Sequence, residues 1–185
     1  MSDTNNKFKS LRLALHYHLE ATILGNDIYY DGAFGKWVDE LAIHFKEIIL
    51  ITHTNKNSEK AKYKIRNSNV SICDLGPKTT FFPARLLNVP KQMAIVRNNL
   101  ENFDLIGFRV PSLLAPYIYR LSKTKINFFI LVGDVVETIK ATKISFWKKN
   151  ILVAYWKWDR RLYIKAAKQS ISFGIQPHFE DLYSQ

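Results

Sequence analysis

The sequence predicts an α/β fold: a Rossmann-like, doubly wound, mostly parallel sheet with helices on both faces. Three observations carry that expectation. Unbroken apolar runs of strand length recur along the chain, among them "EIILITH" (47–53), "FDLIGF" (103–108) and "INFFILV" (126–132). Stretches with helical spacing separate them. The 185 residues, 47% hydrophobic and 14% aromatic, suffice for one domain with a real core, and the reading covers 1–185 as a single domain. Strands that are apolar on both faces belong to sheets covered on both sides, and such sheets are parallel.

Taken in order, "LRLALHY" (11–17) reads as the first strand. A loop containing Gly25, Gly32 and Gly35 leads to a helix over about 36–45, where Trp37, Leu41 and Phe45 recur every fourth residue. "EIILITH" is the second strand, residues 54–68 a polar connection, and "VSICDL" (70–75) the third strand. Residues 85–102 read as a helix that Pro90 starts or kinks. Strand 103–108, a helix over 113–122, strand 126–132, a long helix over 146–168 and strand "SISFGI" (170–175) complete the chain.

In an open parallel sheet, ligands bind beyond the carboxyl ends of the strands. His18, His53, Gly76, Arg109, Gly133, Asp134 and Gln176 fall at or just past those ends. The stretch "IGFRVPS" (106–112) places an arginine where an apolar strand stops, and a guanidinium there either caps the protein's own groups or awaits an anion. Arg109 and Ser112 are therefore candidate ligand contacts; the structural alternative pairs Arg109 with Asp104 or Asp134 and makes Ser112 a helix cap. Gly133 and Asp134 end the next strand, where an aspartate can hold a hydroxyl. Gly32 and Gly35 let backbone approach a ligand at a helix start, although their spacing is too sparse for a dinucleotide fingerprint.

Composition narrows the partners. Lys and Arg number 27 against 16 acids, a net charge of +11, which favours an anionic partner. Nucleic acid has only charge to recommend it, since no helix-turn-helix, zinc or RNP pattern occurs, and it is not expected. The single cysteine, Cys73, excludes an internal disulfide and fits a reducing compartment. His16 and His18 lack the further ligands a metal would need, so none is expected. The N-terminus has no secretory signal pattern, and no apolar run approaches the roughly 18 residues that span a bilayer. A cytoplasmic protein is expected, with peripheral contact to an anionic membrane on the inner face of the plasma membrane as an open alternative.

That alternative rests on two segments. Residues 140–168 carry nine Lys/Arg and one acid, Asp159. Trp147, Ile151, Tyr155, Trp158 and Leu162 form one helical stripe, read as its core face, while Trp156 and Arg160 lie off that stripe and are read as membrane contacts. The second segment, "KTTFFPARLLNVPK" (78–91), sets Phe81 and Phe82 among Lys78, Arg85 and Lys91. Phe81, Phe82 and Arg85 are its expected membrane contacts; a solvated helix and an ordinary loop are the competing readings.

Three segments taken together, "YYDGAFGKWVDELA", "DLIGFRVPSLLAPYIYRLSK" and "FFILVGD", resemble the N-terminal half of group 1 glycosyltransferases of the GT-B fold. The resemblance spans about 170 positions in order, with R-V-P-S followed by V-G-D its most specific part. It implies an acceptor-side domain facing a second domain that binds the nucleotide-sugar donor, with transfer that needs no metal and no further cofactor. It places Gly32 to Gly35 near the donor, Arg109 and Ser112 on the acceptor side, and Asp134, the catalytic candidate, at the rim of the reaction centre, while Gly133 stands where many relatives have a histidine. The expected partners are a sugar or glycolipid acceptor of a bacterial surface polysaccharide pathway and the missing C-terminal domain or a partner subunit; the expected activity of this piece alone is nil. A non-catalytic membrane-docking or interaction module is the alternative function.

Overall fold

A computed structural model describes residues 7–132, 139, 142 and 145–174. Among these, the strands are β1 (Arg12–His16), β2 (Ala21–Leu24), β3 (Asp27–Tyr30), β4 (Glu47–Thr52), β5 (Thr54–Asn55), β6 (Tyr63–Lys64), β7 (Val70–Asp74), β8 (Leu105–Val110), β9 (Ile126–Leu131) and β10 (Ile171–Gly174). The helices are α1 (Gly32–Ala42), α2 (Phe82–Asn99), α3 (Ala115–Leu121) and α4 (Phe146–Lys168), with short 3-10 turns at Ser58–Lys60 and Leu100–Asn102. Six strands form one mostly parallel sheet in the order β10-β9-β8-β1-β4-β7, so the expected Rossmann-like α/β class holds. The chain divides into two compact units, Met1–Ile106 and Gly107–Gln185.

In the first unit, β1 pairs with β4 and β4 with β7, all parallel, with Leu13 opposite Ile48 and Ile51 opposite Cys73. Leu13, Ala14 and Leu15 and the run Ile48–Ile51 are buried, which is why these strands read as unbroken apolar segments. Helix α1 covers them with Phe34, Val38 and Ala42, and α2 contributes Val89, Met93 and Val96. Pro90 lies inside α2 rather than at its start. Asp104 secures the return toward β8: its backbone N–H donates to Arg12 O and its carboxylate accepts from Arg12 N at 2.7 Å.

A second, four-stranded sheet, β5-β2-β3-β6, occupies segments expected as loop and polar connection. Its centre is the β2–β3 hairpin, in which Leu24 faces Asp27 across a two-residue turn and Gly25 takes φ +60°. A glycine first in such a turn matches the backbone twist of the flanking strands.

In the second unit, β9 and β10 run parallel, with Phe129 opposite Ser172. Phe108 stacks on Phe129 with ring centroids 4.8 Å apart, and Tyr119 of α3 meets Phe129 edge-on at 5.7 Å. Helix α4 packs on α3 and β10 through Asp159, Tyr163, Ala166 and Ala167, its buried positions. Three of the five residues of the expected core stripe face away from the core: Trp147, Ile151 and Trp158 are exposed, at 77%, 66% and 48%, while Tyr155 and Leu162 are half-buried. The spacing of large apolar residues pointed outward because small alanines, which allow close approach, line the packed side.

Candidate functional site

The carboxyl ends of β1 and β4 carry three histidines of the first unit. His16 closes β1 and is fully buried; its Nδ1–H donates to Ile51 O at 2.9 Å, since a carbonyl can only accept. Burial, with His18 and His53 nearby, pulls its pKa down to about 4, so it is neutral at pH 7. His53, just past β4, donates from Nδ1 to Gly76 O at 3.0 Å, which makes Nε2 its basic nitrogen. Half-burial lowers its pKa as well, and Lys78 adds to that effect. His18 is half-buried beyond the end of β1, and its carbonyl accepts from Lys78 Nζ at 3.1 Å. Desolvation and the charges of Arg85 and Lys60 lower the pKa of Lys78, while Glu20 raises it. The result is a half-buried patch of neutral imidazole and ammonium at the edge where parallel sheets take ligands.

Helix α1 adjoins this patch through aromatic contacts. Tyr17 meets the His18 ring edge-on at 4.7 Å and packs on Phe34 in the first turn of α1 at 4.4 Å. The two candidate glycines of that helix differ. A Cβ on Gly32 would meet nothing within 4 Å among the described residues, so space lies open there. A Cβ on Gly35 would lie 2.6 Å from Tyr63 Cδ1; close packing of that ring accounts for this glycine.

The remaining predicted residues lie elsewhere. Arg109 sits inside β8 and is half-buried; it does not follow the strand, as the sequence suggested, because the β conformation continues through Val110. Its suggested partner Asp104 is instead bound to Arg12. Ser112 is buried at 4% exposure, and its carbonyl accepts from Ala115 N at the start of α3, whose N-cap is Leu114. Arg109 and Ser112 belong to the second unit, His18, Gly32 and Gly35 to the first. Gly133 and Asp134 lie outside the described residues, as do Gln176 and the side chain of Phe82.

Of the expected membrane contacts, Phe81 is 68% exposed, whereas Arg85 is half-buried and donates from Nε to Thr79 O at 2.6 Å. Trp156 and Arg160 are also half-buried, because they stand away from the exposed face of α4.

Sequence reasoning placed His53 at the rim but gave it no role, and it gave Lys78 no part in ligand binding; the signal available for both was position just after an apolar strand. A third group gave no sequence signal. Asp159 on α4 is fully buried, and among the described residues neither of its carboxylate oxygens has a hydrogen-bond partner. Desolvation lifts its pKa to about 7. Tyr117 on α3 and Tyr155 one turn earlier have raised pKa values, chiefly from burial and partly from the Asp159 charge.

A cleft of about 430 Å³ in the second unit is lined by Lys123, Lys125, Asn127 and Lys168. It opens at the starts of β9 and β10 and past the C-termini of α3 and α4, where lysines answer the helices' own carbonyl ends. That is the edge opposite to the usual ligand edge of a parallel sheet. Among the described residues, no group of three or more His, Cys, Asp or Glu could hold a metal ion, and no helix is long and apolar enough to cross a membrane.

Comparison with protein-family models, with curated proteins and with solved structures yields no match. The His18–His53–Lys78 rim therefore stands on its geometry alone.

Proposed function

We propose that the chain is the acceptor-side domain of a metal-independent glycosyltransferase that moves a sugar from a nucleotide-sugar to a polysaccharide or glycolipid. The observation that carries this reading is the grouping of His18, His53 and Lys78 at the carboxyl ends of β1 and β4, tied through Tyr17 and Phe34 to the open first turn of α1. Sugar acceptors present hydroxyls. A neutral, half-buried His53 whose Nε2 accepts a hydrogen bond suits a hydroxyl at neutral pH, and Lys78 supplies a cation for a phosphate or carboxylate beside it. A donor-binding domain, as the resemblance implies, completes the enzyme; in the second unit the same resemblance proposes Arg109, Ser112 and Gly133 as substrate contacts and Asp134 as the catalytic residue.

The test uses the protein of the complete reading frame, labelled UDP- and GDP-sugars, and lipid and polysaccharide fractions as acceptors. Transfer is expected, with Asp134→Ala and His53→Ala each lowering kcat/KM at least about a hundredfold, the range for loss of a general acid or base. A folded protein that transfers none of these sugars overturns the proposal. Full activity in His53→Ala would remove the rim from it.

A further inference from the structure

The exposed face of α4 has an order along its axis that a merely solvated helix does not need. Positions 147, 151, 154, 158, 161 and 165 follow one stripe with alternating spacings of four and three, and all six are exposed. Read from the N-terminal end they are Trp147, Ile151, Ala154, Trp158, Arg161 and Lys165. The first four are apolar and the last two basic. Phe146, 70% exposed, widens the apolar end, while exposed Lys157 and Lys168 widen the basic end. The helix has a single acid, Asp159, and it is buried on the opposite side, so every charge on this face is positive.

Large aromatics in water are costly, and apolar burial is worth about 25 cal/mol per Å². A contiguous exposed patch of this kind marks a docking surface. We propose that this face binds the surface of an anionic bilayer, with Phe146, Trp147, Ile151 and Trp158 in the headgroup boundary and Lys157, Arg161 and Lys165 among the lipid phosphates. Charge decides the occupant. A second copy of the chain would bring an identical all-positive face against this one, whereas an anionic headgroup layer matches both halves: tryptophan favours the membrane–water boundary, and lysine and arginine stems let their charges reach the phosphates. The inference does not depend on the transferase reading. It also moves the membrane contact of this helix from Trp156 and Arg160, which are half-buried, to the opposite stripe.

The experiment is co-sedimentation of the full chain with vesicles of phosphatidylcholine alone or mixed with phosphatidylglycerol, at low and physiological salt. Binding is expected to the mixed vesicles, weaker as salt rises, with a blue-shifted tryptophan emission. The triple change Lys157→Glu, Arg161→Glu, Lys165→Glu should weaken partitioning about a hundredfold or more, given about fivefold per basic residue at a charged surface. Trp147→Glu with Ile151→Glu should abolish it; both positions are exposed, so far-ultraviolet circular dichroism should stay unchanged. A control with Lys7→Glu and Lys9→Glu on the first unit lowers the net charge and should leave most binding intact. Equal loss in that control, or equal binding to both vesicle types, overturns the proposal. So does self-association without vesicle binding that Trp147→Glu dissolves, which would assign the face to a second copy, or binding of nucleic acid in preference to lipid.

Discussion

Asp39 in the first unit and Asp159 in the second are both buried aspartates on helices, and their surroundings set them apart. Asp39 accepts from Tyr63 Oη at 2.9 Å, from the backbone N–H groups of Arg66 and Asn67 at 3.0 Å each, and from Asn67 Nδ2 at 2.9 Å. Burial alone would raise its pKa, but the bonds from Asn67, Arg66 and Tyr63 together outweigh that and hold it below the ordinary value. Asp159 has burial without those donors, and its pKa rises to about 7. Burial does not fix the sign of a carboxylate's shift; the number of donors aimed at it does. One aspartate ties α1 to the segment around β6, and the other holds its proton under conditions in which an ordinary aspartate is ionised.

The largest effect should come from removing the better-satisfied of the two. Asp39→Ala takes the acceptor from two main-chain N–H groups, a phenol and an amide, all on half-buried or exposed residues, so water replaces part of what is lost and each main-chain group costs toward the lower end of about 1 to 3 kcal/mol. A loss of about 3 kcal/mol in the first unit is expected, read as a lower denaturant midpoint. Asp39→Asn keeps an acceptor oxygen and should cost less than half as much. Equal losses in the two variants would mean that the negative charge, not the acceptor geometry, organises this turn.

Next comes the pH dependence. Folded Asp159 keeps its proton to about pH 7, and an unfolded aspartate releases it near 3.8. Between those values the folded state binds the additional proton, so the stability is present below about pH 4 and is lost as pH rises through 7, on the order of 4 kcal/mol in all. Asp39 acts in the opposite sense and in another window: its contribution is present above about pH 4 and is lost as pH falls below the unfolded value of 3.8. His16, with its pKa lowered from 6.5 to about 4, gains stability as pH rises across much of the Asp159 window. The informative measurement is therefore the difference between the parent and Asp159→Asn, in which His16 cancels. The variant should be relatively less stable at pH 5 than at pH 8, and a difference that does not change with pH would show that Asp159 is ionised throughout.

The same contrast explains what the sequence could reveal. The parallel strands were legible because both of their faces are buried: the expected 47–53 against Glu47–Thr52 and 126–132 against Ile126–Leu131 differ by one residue. Helix 146–168 was legible in extent but not in orientation, since its packed side carries Ala166, Ala167 and a lone aspartate while Trp147 and Trp158 face outward. The small sheet was missed because β5 and β6 have two residues each, too few for periodicity to register. Its hairpin did have a signal, Gly25-Asn26 between "ATIL" and "DIYY", a glycine-first two-residue turn between apolar segments. At the rim, position after a strand identified His18 and His53 but could not reveal that Lys78 comes back to the His18 carbonyl, a contact across 60 residues. Asp39 and Asp159 are both single acids on apolar helix faces, and nothing in the local sequence says which of them will find donors.

The smallest expected effect probes the support of the Asp39 network. Gly35 gives the Tyr63 ring its place, and Tyr63 in turn donates to Asp39. Gly35→Ala puts a methyl 2.6 Å from Tyr63 Cδ1, so the ring must shift while its hydroxyl is held. Alanine in place of glycine within a helix is worth up to about 1 kcal/mol in its favour. Only part of that gain is available at Gly32, the first residue of α1, where the space is open, and Gly32→Ala should be neutral to slightly stabilising. At Gly35 the displaced ring should reverse the sign, for a net loss of about 1 to 2 kcal/mol, in the range of overpacking a filled site. Adding Tyr63→Ala to Gly35→Ala separates obstruction by the ring from a constraint in the backbone. If the ring is the obstacle, the alanine at 35 becomes stabilising once Tyr63 is gone; if it stays destabilising, the constraint lies in the backbone of α1.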